Sequence, residues 1–320
     1  MSLRSATPQQ RVSMAVEPSD QTIVLNLLRG AVPEQADYLS RVWVEHGHDV
    51  EVATSRKGAT MNSTSQRIKF DTKTIDLFWL MGFAVWRAIE LYAPAVALAT
   101  DTAVSIYKVL HDDDERPQLE FEYKQRIGAI DALLAAHSTD AITWPCDIPK
   151  PTDVRESLNG DQDKAAFDLV CLALAFTLLH ELRHIMFRKA GDAPKEGYEE
   201  EMACDVWARA TMTSTLAEYA KKEGHSFADV EQKRATGIAL AAIIVHAMTS
   251  STVRWGTDEY PPIADRLTAM ISGYSQPDDS NFWLYTACLL VALMRQERRA
   301  LDISPTSYRE LVETLLGLLR

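Results

Sequence analysis

Apolar residues in this chain gather in long, nearly unbroken runs instead of alternating singly with polar ones. The densest run is Ala165 to Leu179, interrupted mainly by Asp168 and Thr177. A stretch that is apolar on nearly every side predicts a buried helix. With its flanks, that helix runs from about Asp161 to Lys189 and stops before Gly191. Asp71 caps a second apolar helix, expected to end near Tyr92 because Pro94 follows. Pro33 suits the first turn of a helix reaching Gly47. Further helices are expected at about 95–111 and 117–136, then from Tyr198 to about Lys222 and from Ala228 to Ser250. Tyr260-Pro-Pro-Ile-Ala-Asp-Arg266 opens another, and Asp278 to Arg299 and Pro305 to Leu319 complete the set. Val50 to Thr54 and Gln66 to Phe70 read as short strands flanking a loop with Gly and Ser.

Pro145, Pro149, Pro151 and Gly160 make residues 138–160 an irregular connection. The organisation read from this pattern has four parts. Residues 1–20 form a polar, disordered tail. Residues 21–137 form a helical region with short strands, suited to shaping a substrate groove or to regulation. Residues 138–160 connect it to a helical metallopeptidase region, 161–320. The fold class is mainly α, a multi-helix zincin-like bundle with a small β element in the N-terminal half.

Composition narrows the setting. A net charge of −12 over 320 residues argues against a nucleic-acid partner, for which a basic stripe is expected. Cys146, Cys171, Cys204 and Cys288 form no C-x-x-C pair, which fits a reducing cytoplasm. No secretory apolar segment opens the chain. Ile75 to Ala99 carries Asp76, Arg87 and Glu90, and Ala165 to Leu179 is too short to span a bilayer, so no membrane span is expected.

The chemistry concentrates at the end of the densest apolar run. His180, Glu181 and His184 spell H-E-x-x-H. On a helix, positions i and i+4 share a face, so both histidines can hold one metal ion. Glu181 lies about 100° around from His180 and can reach a metal-bound water without being a ligand. Two solvent-facing histidines on an ordinary helix are the bland alternative. They fit poorly at the end of a buried helix, where unpaired polar groups are costly. Downstream, Glu201 and Asp205 are again i and i+4. Glu201 is the expected third ligand, and Asp205 the expected hydrogen-bond partner of one histidine's other nitrogen. Glu199 and Glu200 read as an acidic first turn. Two His and one Glu, with a fourth position left for water, is a catalytic Zn2+ set. A di-iron bundle needs a second E-x-x-H, and Glu45-His-Gly-His48 is a poor one because Gly47 interrupts it.

His180 to Phe187, followed by Glu201-Met-Ala-Cys-Asp-Val-Trp-Ala208, resembles the Lit family of phage-exclusion peptidases. Lys57-Gly-Ala-Thr-Met61 and Trp79 to Arg87 resemble that family as well. The two metal motifs are also similar to those of ImmA/IrrE-type regulatory peptidases, with Asp205 in the N/D position of their second helix. Both resemblances imply a site-specific intracellular protease in phage or mobile-element biology. The first implies a host translation factor as protein substrate and a phage-derived peptide as activator; the second implies a repressor. A non-catalytic sensor is a further alternative, but it has no use for Glu181. Tyr260-Pro-Pro-x-x-x-Arg266 is similar to an H-P-P-x-x-x-R element of several zinc peptidases, with Tyr replacing His. Candidate donors to a developing oxyanion are His246, Tyr260, Arg266 and Tyr198.

Overall fold

A computed structural model describes residues 20–46, 49–53, 58–112, 116–152 and 154–320. The expected tail to residue 19, Gly47, His48, Thr54 and Lys57 lie outside the described residues. In chain order, α1 (Asp20–Ala31) and α2 (Ala36–His46) precede β1 (Asp49–Ala53), β2 (Met61–Ser63) and β3 (Arg67–Asp71). Then come α3 (Thr72–Thr102), α4 (Ile106–Asp112), α5 (Pro117–Ala135), α6 (Gly160–Ala190), α7 (Gly197–Thr213) and α8 (Leu216–Glu223). α9 (Phe227–Met248), α10 (Ile263–Ile271), α11 (Asn281–Gln296) and α12 (Tyr308–Leu318) follow. The molecule is mainly α, as the apolar runs predict. Its small sheet, ordered β1-β3-β2, sits in the N-terminal half. β1 runs parallel to β3 and β2 antiparallel to it.

α6 is the axis of the molecule and packs against α3, α7 and α9. Its contacts with α3 and α9 depend on glycine. A Cβ at Gly82 of α3 would stand 2.3 Å from Val170 Cγ2, and one at Gly237 of α9 would stand 2.4 Å from Leu172 Cβ. Val170 and Leu172 are two residues apart, about 200° around the helix, so α6 is gripped from opposite sides. The polar interruptions of its apolar run are satisfied. Asp168 meets Arg155 at 2.7 Å and Lys233 at 2.8 Å, and Thr177 Oγ1 donates to the Ala173 carbonyl. α3 and α6 are long and apolar enough to cross a membrane by composition, yet most of each lies buried within the fold.

Three boundaries depart from expectation, each for a tertiary reason. Asp71 caps α3 as predicted, its carboxylate accepting from the Thr74 N–H. The helix then continues through Pro94 to Thr102 instead of ending near Tyr92. Proline removes the N–H that would bond the Glu90 carbonyl. Arg116 Nη1 supplies a donor to that carbonyl at 3.0 Å, so the defect is tolerated. The helix expected at 95–111 is broken where Ala103 turns left-handed (φ 50°). α4 starts afresh there, because the Ile106 and Tyr107 N–H groups donate to the carbonyls of Ile303 and Leu301. The helix expected from Tyr198 to Lys222 divides into α7 and α8. Gln35 Nε2 donates to the Thr211 carbonyl and Arg234 Nη1 to that of Met212, so two carbonyls that would continue the helix are taken.

Candidate metal centre

α6 brings His180 and His184 onto one buried face, with their Nε2 atoms 3.1 Å apart. α7 crosses opposite them. Its start is set by Gly197, where a Cβ would lie 2.8 Å from the Glu259 carbonyl oxygen. Its inner stripe, Cys204, Asp205, Ala208, Thr211 and Met212, is buried. Glu201, one turn before Asp205, points at the histidines. Glu201 Oε2 lies 3.4 Å from His180 Nε2, and Oε1 lies 3.3 Å from His184 Nε2. One ligand atom from each of the three residues falls within 4.8 Å of the others.

The remaining ring nitrogens are occupied. His180 Nδ1 is 2.8 Å from Asp205 Oδ1, and His184 Nδ1 is 2.6 Å from Glu200 Oε1. An N–H donated from each Nδ1 leaves each Nε2 with a lone pair aimed at the carboxylate of Glu201. Two lone pairs and a carboxylate meeting in a buried space form an electron-rich set, and a divalent cation satisfies it. The residues therefore fit a metal ion.

Arg266 of α10 balances the acids from outside. Its Nε and Nη2 donate to the two oxygens of Asp205 at 2.8 and 2.9 Å, and its Nη1 lies 3.2 Å from Glu201 Oε2. Burial disfavours charge at Asp205, but Arg266 and then His180 bring its pKa down to about 2. Burial likewise opposes ionisation of Glu201, and hydrogen bonds to His180 and His184 outweigh it, so its carboxyl stays well below the usual range. Burial lowers the pKa of His180, but the charge and hydrogen bond of Asp205, followed by Glu201, raise it to about 10, so a cation binding at Nε2 displaces a proton and leaves the tautomer described above. Glu181 is buried next to His180 on α6, and its charge helps hold Arg266 protonated after those of Asp205 and Glu201.

His180, Glu181, His184, Glu201 and Asp205 thus come together. Of the four oxyanion candidates, only Arg266 touches the cluster, and its donors are committed to Asp205 and Glu201. His246 is buried elsewhere, 3.4 Å from Glu297. Tyr198 and Tyr260 are exposed, and neither hydroxyl hydrogen-bonds to the cluster. Glu200 is the residue that sequence reasoning left as part of an acidic first turn. The available signal was its adjacency to Glu201: consecutive carboxylates about 100° apart can face two different nitrogens of one histidine pair.

The family model described as Peptidase U49 matches residues 68–286, an interval running from β3 into α11 and containing every residue of the cluster. Neither a curated protein nor a solved structure matches the chain.

Proposed function

The chain belongs to the Peptidase U49 family and is a peptidase, and from that premise we propose that it is a zinc-dependent, site-specific endopeptidase of the gluzincin type. His180, His184 and Glu201 are the metal ligands in this reading, and Glu181 is the general base. The observation that carries it is the convergence of three ligand atoms within 4.8 Å, with each imidazole oriented by a carboxylate of its own. Two nitrogen donors and one oxygen donor in a nearly closed site favour zinc over magnesium or calcium, which prefer all-oxygen sets.

A bound zinc ion supplies Lewis acidity, polarising a carbonyl and acidifying water. The chain supplies the rest. Glu181 accepts the proton of the attacking water at its carboxylate and delivers it to the departing amine nitrogen. Asp205 and Glu200 hold the two imidazoles in one tautomer. Arg266 keeps Asp205 and Glu201 ionised and fixes their planes.

The resemblance to phage-exclusion peptidases gives the proposal its biological form. The protein acts in the cytoplasm on one host protein of the translation-factor class, and a phage-derived peptide switches it on. The helices before residue 138 shape the groove that admits this substrate.

Two measurements test the proposal. Elemental analysis of freshly purified protein should find one zinc per chain, absent from His180→Ala and His184→Ala. Mass-spectrometric mapping of host proteins after phage challenge should show one new cleavage with wild type and none with Glu181→Gln. Two irons per chain would sink the metal assignment. Free digestion of unfolded casein without an activator would sink the single-target reading and leave the zinc peptidase intact.

A further inference from the structure

α3, α5, α9 and α11 line a partly open cavity of about 320 Å³ that shares no residue with the candidate metal cluster. Met81, Ala84, Ile130, Ile243, Leu289 and Ala292 give it an apolar wall. At one end the lining turns polar, with His246, Arg254 and Glu297. The same three residues also line a second, more polar cavity of about 350 Å³, which reaches exposed Trp255 and half-buried Arg299. They form a neck between an apolar chamber and a polar vestibule.

The neck carries excess positive charge and unused donors. Glu297 is bonded by Arg254 Nη1 at 2.9 Å and by Arg299 Nε at 3.1 Å, so two arginines face one acid. Arg254 spends three donors inside the chain, on Glu297, Thr249 and His246 carbonyl or carboxylate oxygens, and a guanidinium has about five. His246 is 2% exposed and lines both cavities. Its nearest acid atom, Glu297 Oε1, stands at 3.4 Å and is already taken by Arg254. Burial, followed by the charge of Arg254, pushes the His246 pKa down to about 4, so the ring is neutral at pH 7. A neutral imidazole carries one N–H, which a ligand in the cavity can accept.

One further acid lines the chamber. This is Asp131 of α5, which has no ion-pair partner among the described residues. With two arginines to one acid, the neck favours an anionic head group. The chamber's volume falls in the range of small-molecule sites, about 300–1,000 Å³.

We propose that this cavity binds a medium-chain fatty acid, with its alkyl tail among α3, α5, α9 and α11 and its carboxylate at His246 and Arg254. The probes are dodecanoate, dodecanol and dodecylamine, each below its micelle concentration, titrated calorimetrically into the full-length chain. Dodecanoate should saturate one site per chain and bind at least tenfold tighter than either the alcohol or the amine. Ala292→Met, which fills the chamber, and His246→Phe, which keeps the ring's bulk but removes its nitrogens, should each weaken dodecanoate at least tenfold. The comparison of head groups on wild type needs no variant to fold. The proposal is overturned if dodecanoate shows no saturable binding, if dodecylamine or dodecanol binds as tightly, or if folded Ala292→Met binds undiminished.

Discussion

Glu200 holds Oε1 2.6 Å from Nδ1 of His184, while the next residue, Glu201, faces that histidine's other nitrogen at 3.3 Å. Two consecutive side chains on α7 therefore address both nitrogens of one imidazole. Asp205, one turn on, does for His180 what Glu200 does for His184. Each candidate ligand histidine has its own carboxylate partner, and both carboxylates come from the helix that also brings the third candidate ligand.

This arrangement sets a specific expectation for Glu200. Glu200→Ala should weaken zinc affinity or peptidase activity about 10–100-fold, the usual cost of losing a carboxylate that orients a ligating histidine. Glu199→Ala, at an exposed neighbouring position, should change neither. Competition with a chromogenic chelator measures the affinities. Equal effects at the two positions would mean that negative charge near the helix start matters and the contact with His184 does not.

Ligand and base separate through a second pair of variants. Glu181→Gln should retain zinc and the thermal unfolding midpoint while losing cleavage by orders of magnitude, because the water loses its proton acceptor. Glu201→Ala should lose the metal. Zinc released by the first variant, or held at full affinity by the second, would reverse the two assignments.

Arg266 should matter for folding as much as for chemistry. Its guanidinium bonds both oxygens of buried Asp205. Removing one partner of a buried pair strands the other charge, at a typical cost of about 3–5 kcal/mol. Arg266→Met should therefore lower stability by that order in urea titrations. Arg266→Met combined with Asp205→Asn should recover part of the loss, since the stranded charge goes with its partner. A double variant no more stable than Arg266→Met alone would contradict the pairing.

Gly82 tests how α3 grips the helix that carries the histidines. In an isolated helix, glycine to alanine gains about 1 kcal/mol. Here the new Cβ would lie 2.3 Å from Val170 Cγ2. Overpacking of a tight core costs about 1–3 kcal/mol. Gly82→Ala should therefore destabilise the protein, and adding Val170→Ala should restore it. A stabilised Gly82→Ala would show that the helices part without strain.

Much of this was readable because it is local. The apolar run of α6 and the Asp71 cap follow from neighbours in the sequence. So does the shared face of His180 and His184, since i, i+4 spacing fixes it for any helix. What failed was equally specific. Pro94 signalled a helix end, and only Arg116, 22 residues later in the chain, supplies the donor that lets α3 continue. The break after Thr213 has no strong local cause. It depends on Gln35 and Arg234 capturing carbonyls from distant segments. β2 is three residues long, too short for alternation to announce it.

The sequence by itself determined which groups share a helix: two imidazoles and a glutamate on one, and two carboxylates at i and i+4 on another. Helical periodicity fixes such relationships within an element, and they hold wherever that element goes. Only the tertiary structure decided how the two helices face each other. Gly197 against the Glu259 carbonyl sets where α7 begins, and that register brings Glu200 to His184 and Asp205 to His180. It also decided that Arg266 pairs with Asp205 and Glu201 and that His246 lines a separate cavity. Those roles depend on which groups meet across the core, and the meeting is set by side-chain volume and close helix approach, which periodicity along the chain does not encode.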